Sequence, residues 1–216
     1  MPVKAMPVAE TKVSAADVKA LRDRTGAGMM DCKAALQETG GDADKAVELL
    51  RKKGAASAEK RSGRGTGEGY VASYTHATGR VGVLVELQCE TDFVARNEEF
   101  QAFARDIAVH IAAMYPKFVG LDDVPEDVLT SERSVHEEKA KADGKPENVV
   151  EKIVDGQMRK WASEPGRVLL EQPHFNSVKY EGKTIEQLRT EIAAKTGENV
   201  RIGRFARLEV GAEEEE

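Results

Sequence analysis

Glu86-Leu87-Gln88-Cys89-Glu90-Thr91-Asp92-Phe93-Val94-Ala95-Arg96-Asn97 is the stretch around which the chain is organised. An apolar strand runs into it and a helix runs out. At the corner between them sits Thr91-Asp92-Phe93, an acid beside a large aromatic. Corners on rigid elements are where proteins carry function. A phenylalanine there has two readings: it folds back onto the core, as most phenylalanines do, or it is offered to a partner. Spacing alone leaves both open.

Upstream of the corner, Tyr70, Ala72 and Tyr74 alternate with Val71, Ser73 and Thr75, ending at His76. A turn at Ala77-Thr78-Gly79-Arg80 leads into Val81 to Leu87, so the two runs read as a β-hairpin. Downstream, a helix is expected from about Asn97 to Met114. Phe100, Phe103, Ala104, Ile107, Ile111 and Met114 form its apolar stripe. His110 lies at the edge of that stripe, where a lone histidine reads as a boundary residue rather than a ligand.

Further out, Phe118, Val119 and Leu121 suggest a third strand, and Pro125 to Leu129 a short helix start. Ser131 to Ala142 is a charge-rich helix, broken by Gly144-Lys145-Pro146, with Pro146 in the first turn of the next helix. That next helix carries Val150, Ile153, Val154, Met158 and Trp161, and ends before Pro165-Gly166. The pair reads as a projecting antiparallel hairpin over 131–162. Val168-Leu169-Leu170 and Gln172-Pro173 read as extended. Thr184-Ile185-Glu186-Gln187 has the capping-box pattern for a helix through Ile192 to Gly197. A last strand places Val200, Ile202, Ala206, Leu208 and Val210 on one face, and four glutamates close a solvated tail over 212–216.

Toward the N-terminus, Met1 to Lys12 has no apolar signal core and no arginine, and reads as a flexible arm rather than a targeting peptide. Ser14 caps a first helix with Val18 and Leu21, which stops at Thr25-Gly26-Ala27-Gly28. A second runs from about Met29 to Glu38. Asp42 caps a third, with Ala46, Val47, Leu49 and Leu50 inside, closing at Gly54. Three short helices over 13–54 make a small bundle near the lower size limit for a core. Met29 and Met30 point about 100° apart on a helix. One is expected in the core and the other exposed, where a flexible thioether suits a partner surface. Arg51 to Arg64 reads as a basic, glycine-rich linker, with a domain boundary at 55–68. Its alternating Gly63, Gly65, Gly67 and Gly69 imitate a phosphate-binding loop, but it lacks the GK[ST] ending and precedes a strand. The α+β core domain is then 69–211.

Of the 216 residues, 40% are hydrophobic and 32% charged, which supports a packed core and argues against wholesale disorder. The net charge of -6 argues against a dedicated nucleic-acid binder. No apolar run is long enough to span a bilayer. Cys32 and Cys89 lie far apart without a CxxC, as in a cytoplasmic chain with two buried thiols. There is no GxSxG and no Cys-His nucleophile signature. His76, His110, His136 and His174 are scattered, so no zinc spacing appears. Catalytic, metal and cofactor residues are expected to be none, and a partner-binding protein is favoured over an enzyme.

Two long motifs carry a resemblance. Leu21-Arg22-Asp23-Arg24-Thr25-Gly26-Ala27-Gly28-Met29-Met30-Asp31-Cys32-Lys33 resembles the N-terminal signature of translation elongation factor Ts, and Glu86 to Asn97 resembles its second signature. The resemblance continues through Gly144-Lys145-Pro146 and Leu169-Leu170-Glu171-Gln172-Pro173 to Arg204-Phe205, with Gln88 standing where Asn is usual. Long members carry two copies of the core unit, whereas this chain has room for one.

The resemblance implies guanine nucleotide exchange on elongation factor Tu, with no covalent chemistry. It implies a ubiquitin-associated-like fold for the first three helices and a homodimer in place of the second core copy. It makes Thr91, Asp92, Phe93 and Val94 a wedge beside the partner's magnesium site. Met29, Met30 and Leu21 become the N-terminal contact, and His76 and His110 contacts with a more distant partner domain. Two other readings are a ribosome- or RNA-associated protein using the basic linker, and a ubiquitin-like binding module fused to an unrelated domain. The second leaves the corner unexplained.

Overall fold

A computed structural model describes residues 13–212. The N-terminal arm and the four-glutamate tail lie outside the described residues. Within them the fold is α+β, with nine α-helices and one three-stranded antiparallel sheet. The described residues divide into two compact units, one of residues 13–64 and 190–199, the other of 65–189 and 200–212.

The first unit opens with α1 (Ala15–Thr25), α2 (Met29–Glu38) and α3 (Ala43–Arg61). Ser14 and Asp17 cap α1 reciprocally: the Ser14 hydroxyl accepts from the Asp17 amide at 3.1 Å and the Asp17 carboxylate accepts from the Ser14 amide at 3.1 Å. Gly26 ends α1 in the left-handed region at φ 68°. Asp42 caps α3 by accepting from the Lys45 amide. Val18, Leu21, Cys32, Ala35, Leu36 and Ala46 form the buried core.

The reading that the third helix closes at Gly54 is corrected: α3 runs on to Arg61. Gly54 serves close approach rather than termination, because a Cβ there would stand 3.2 Å from the Ala194 side chain. The segment after α3 is tied down too. Asn199 donates its amide to the Ser62 and Arg64 carbonyls at 3.1 and 2.8 Å.

The second unit holds the hairpin of β1 (Glu68–Thr75) and β2 (Val81–Cys89), with Tyr70 opposite Leu87 and Tyr74 opposite Val83. At Gly69 an added Cβ would stand 2.3 Å from the Leu87 carbonyl oxygen, so this strand position requires glycine. After the corner come the one-turn α4 (Asp92–Ala95) and α5 (Glu98–Met114). The stripe of α5 lies on the sheet, burying Phe100, Phe103, Ala104, Ile107 and Ile111 with Ala72, Val83, Val85 and Leu87.

Then α6 (Glu126–Ala142) and α7 (Glu147–Ser163) form the helical hairpin. The separate helix start at 125–129 and the charged helix are one element, since no glycine or proline interrupts them. The hairpin has more to bury than its polarity suggests: Val124, Trp161, Ala162 and Val168 cluster at one end, and Ala140, Val150 and Val154 at the other. The expected third strand at 118–121 is a single parallel bridge between Phe118 and Val168, followed by a 3-10 turn at Leu121–Asp123. The extended reading of 168–170 gives way to another 3-10 turn at Leu169–Glu171. After α8 (Ser177–Tyr180), α9 (Ile185–Thr196) leads to β3 (Arg201–Glu209), which joins the sheet beside β2.

β3 corrects a further reading. Ile202 pairs with Leu87 and Phe205 with Val85, so two residues, Gly203 and Arg204, oppose one. This bulge flips the alternation. Ile202 is buried, whereas Ala206 and Leu208 face outward, with Leu208 77% exposed. Gly203 gives the bulge its room, since a Cβ there would lie 3.0 Å from the Gln88 amide nitrogen.

Candidate functional site

The corner is built by caps. Thr91 has extended backbone and its hydroxyl accepts from the Val94 amide at 3.4 Å, starting α4. Buried Cys89 donates its thiol to the Thr91 carbonyl at 3.2 Å. Asn97 then caps α5, its side-chain oxygen accepting from the Glu99 and Phe100 amides at 2.8 and 3.1 Å. Gln101 reaches back to donate to the Ala95 carbonyl at 3.1 Å. Two helix starts within seven residues fix the backbone and leave Phe93 on the outside.

Phe93 is 84% exposed. The reading in which it folds back onto the core is overturned. Val94 and Asp92 are half-buried, Thr91 is exposed, and Ala95 is the corner's buried anchor. Asp92 pairs with Arg96 at 3.1 Å, one helical turn on. At the strand end Gln88 bridges Thr66 and Glu86. Its amide, with a smaller contribution from Arg204, holds the Glu86 carboxyl below the usual range.

Met29 and Met30 are both on the surface, at 50% and 73% exposure. This corrects the expectation that one is core; Cys32, Ala35 and Leu36 already fill that face of α2. Leu21 is a buried core residue of the bundle and holds α1 in place rather than facing outward.

His76 is exposed beyond β1, its Nδ1 3.0 Å from the Tyr74 hydroxyl. His110 is wholly buried, which corrects its placement at the boundary of the stripe. Its Nδ1 accepts from the Phe175 amide at 3.1 Å, so Nε2 carries the proton and donates to Gln172 Oε1 at 2.9 Å. Gln172 in turn donates to the Glu164 carbonyl at 2.9 Å. Burial, more than the neighbouring His174, pushes the His110 imidazole down to about 4.

The His174 ring packs, tilted, against those of His110 and Tyr180, with centroids 5.2 and 4.2 Å away. Asp106 of α5 receives the Tyr180 hydroxyl and the Lys179 ammonium. Burial first, then Asp106, pushes the Tyr180 hydroxyl up to about 12. Sequence reading missed this network; its partners lie 62 to 74 residues apart.

Among the described residues no group of three or more His, Cys, Asp or Glu could hold a metal, and no helix is long and apolar enough to cross a membrane. The described residues define an α+β protein with Phe93 exposed in one unit and Met29 and Met30 exposed in the other. The family described as Elongation factor TS matches residues 57–179. Elongation factor Ts of Geobacter metallireducens is 52% identical over 199 residues, covering 92% of this chain and 90% of its own. That of Nitratidesulfovibrio vulgaris is 50% identical over 202 residues, covering 94% and 98%. That of Thermosipho melanesiensis is 50% identical, covering 92% and 99%. The chain belongs to the elongation factor Ts family.

Proposed function

We propose that this protein is a cytoplasmic guanine nucleotide exchange factor for elongation factor Tu and acts by inserting Asp92 and Phe93 beside the partner's magnesium and phosphate site. The observation that carries this reading is Phe93, 84% exposed on a backbone held by two successive caps. A P-loop GTPase holds its nucleotide through backbone amides and magnesium. A wedge that distorts this site releases GDP without making or breaking a covalent bond. Whatever lowers GDP affinity by a factor must itself bind the GDP form more weakly by that factor. The factor therefore binds the nucleotide-free form most tightly and leaves when GTP enters.

Burying Phe93 in a partner pocket supplies about 1.5–3 kcal/mol, a hot-spot magnitude. Asp92 must leave Arg96 to reach the metal's water shell, an exchange of one exposed ion pair that costs little. Thr91 and Val94 set the corner's geometry. Met29 and Met30, adjacent and exposed on a bundle of ubiquitin-associated type, form the N-terminal contact, and His76 meets a more distant partner domain.

The outward face of the sheet supports the homodimer reading. Val71, Leu84 and Leu208 are all exposed there, an apolar surface of the kind that marks an interface.

Stopped-flow release of fluorescent GDP from elongation factor Tu tests the function. Substoichiometric amounts of the protein should accelerate release through many turnovers. Release at the spontaneous rate, with folded protein and cognate partner, would remove the proposal. Salt-steep RNA binding in its place would favour a ribosome-associated role.

A further inference from the structure

Phe93 is carried on a single helical turn. Four residues make up α4, far fewer than a helix needs to hold itself in water. Phe93 is 84% exposed and adds nothing to the packing of that turn, and Ala95 is its one buried side chain. The turn must take its orientation from ties to its neighbours.

Two side chains outside α4 provide such ties. On the strand side the Cys89 thiol donates to the Thr91 carbonyl at 3.2 Å. That carbonyl already accepts from the Ala95 amide at 3.2 Å, so the thiol reinforces an atom that the turn itself satisfies. On the helix side Gln101 Nε2 donates to the Ala95 carbonyl at 3.1 Å. Ala95 is the last residue of α4, where helix carbonyls lack intrahelical partners, and Gln101 supplies one. The Gln101 backbone amide meanwhile donates to the Asn97 carbonyl at 3.0 Å, which places the residue in the first turn of α5. That helix is the fixed member of the pair, because Phe100 and Phe103 on either side of Gln101 are buried. Gln101 is half-buried, so water competes for its hydrogen bond only in part.

We infer that Gln101 is a positioning residue for Phe93: its hydrogen bond to the Ala95 carbonyl fixes α4 against α5 and so sets the direction in which Phe93 leaves the surface. This rests on the exchange-factor reading above. Gln101 acts through the backbone of α4 and not by contact with the partner. A corner fixed in advance spares the complex the cost of ordering it, and a group held slightly out of place loses rate. The other contacts with the partner are untouched, so the effect falls on the release step.

The test uses the full chain and release of fluorescent GDP from elongation factor Tu over a range of factor concentrations. Gln101→Met, Gln101→Glu and Gln101→Lys all keep a long side chain and good helix propensity. Of the three, only lysine keeps an N–H donor at neutral pH. Gln101→Met should lower the maximal release rate about threefold to tenfold, the contribution of one hydrogen bond. Its half-saturating concentration should stay within about twofold of the parent, the pattern of an interaction that matters in the release step. Gln101→Glu turns an acceptor toward the carbonyl and should lower the rate at least as much. Gln101→Lys should bring the rate back to within about twofold of the parent. In the Phe93→Ala background Gln101→Met should cost no more than about twofold, because the side chain it positions is gone. Partial loss of structure would instead reduce the amount of active factor and raise the half-saturating concentration, and lysine would not repair it.

Parent-like maximal release by Gln101→Met and Gln101→Glu overturns the inference. So does an equal loss in all three variants, or an undiminished loss in the Phe93→Ala background. If the parent protein fails to release GDP at all, the exchange reading falls first. If the parent is active, Phe93→Ala is slow and the Gln101 variants match the parent, only this inference falls.

Discussion

Two phenylalanines, Phe93 and Phe175, are held out of the same unit in opposite ways. Phe93 stands on contacts made within its own neighbourhood: Thr91 to Val94, Asn97 to Glu99 and Phe100, and Gln101 to Ala95. Phe175 stands on contacts from across the fold: its amide on His110, with Tyr180 and Lys179 on Asp106. The first arrangement forms as soon as the strand and helix form. The second exists only once α5 is packed and its histidine desolvated. The corner is therefore expected to be insensitive to the global state of the unit, and the loop that carries Phe175 to report on it.

Acid should produce the largest difference between them. His110 has a folded-state pKa of about 4 against an ordinary 6.5. The unfolded chain therefore takes up a proton first as the pH falls. Stability is full above about 6.5 and is lost through the window down to about 4, by roughly 3 kcal/mol. Burial also depresses His174, and this adds in the same direction. Thermal melts at pH 7, 5.5 and 4 should show the fall, and His110→Gln should make it shallower. Equal slopes in both proteins would break the contrast, because the loop would then carry no buried proton linkage.

Next in size is Phe93→Ala, which removes about 1.5–3 kcal/mol of docking energy, a roughly tenfold to 150-fold loss in exchange efficiency. The melting temperature should hardly move, since the side chain is 84% exposed. Thr91→Ala should cost about 1 kcal/mol at the corner and lower exchange several-fold, with Thr91→Ser restoring it. If Thr91→Ala exchanged like the parent, the corner's rigidity would be irrelevant to its action. Smallest is Arg96→Gln. It breaks an exposed pair worth about 0.3–0.5 kcal/mol and should leave stability unchanged while easing Asp92 toward the partner, a gain of no more than about twofold in association rate.

The same contrast explains which features are legible in the sequence alone. Ser14 and Asp42 are caps whose partners lie within three residues, so the starts of α1 and α3 are legible, as is the start of α5 near Asn97; the Thr91 cap and the separate turn of α4 are not among the sequence readings. The hairpin and the α5 stripe follow from alternation and helical spacing, which are local patterns too. Gly54 misled because a glycine in a basic stretch looks like a stop. The reason for it, Ala194, is 140 residues away. The alternation through Leu208 gives no sign of the bulge at Gly203 and Arg204, because it depends on pairing with β2, which no local pattern reveals. The apolar run at 118–121 looked like a strand, but it forms only one bridge, to Val168. His110 shows the limit most clearly: helical spacing puts it at the edge of the α5 stripe, but its partners Gln172 and Phe175 carry no local signal, so its burial is not legible.

The most direct test compares the parent chain with Phe93→Ala in fluorescent GDP release from elongation factor Tu at saturating factor, with the melting temperature measured alongside. Release should be fast with the parent and roughly tenfold to 150-fold slower with the variant, at equal melting temperatures. Parent-like release by a folded Phe93→Ala protein would contradict the claim that this corner opens the nucleotide site.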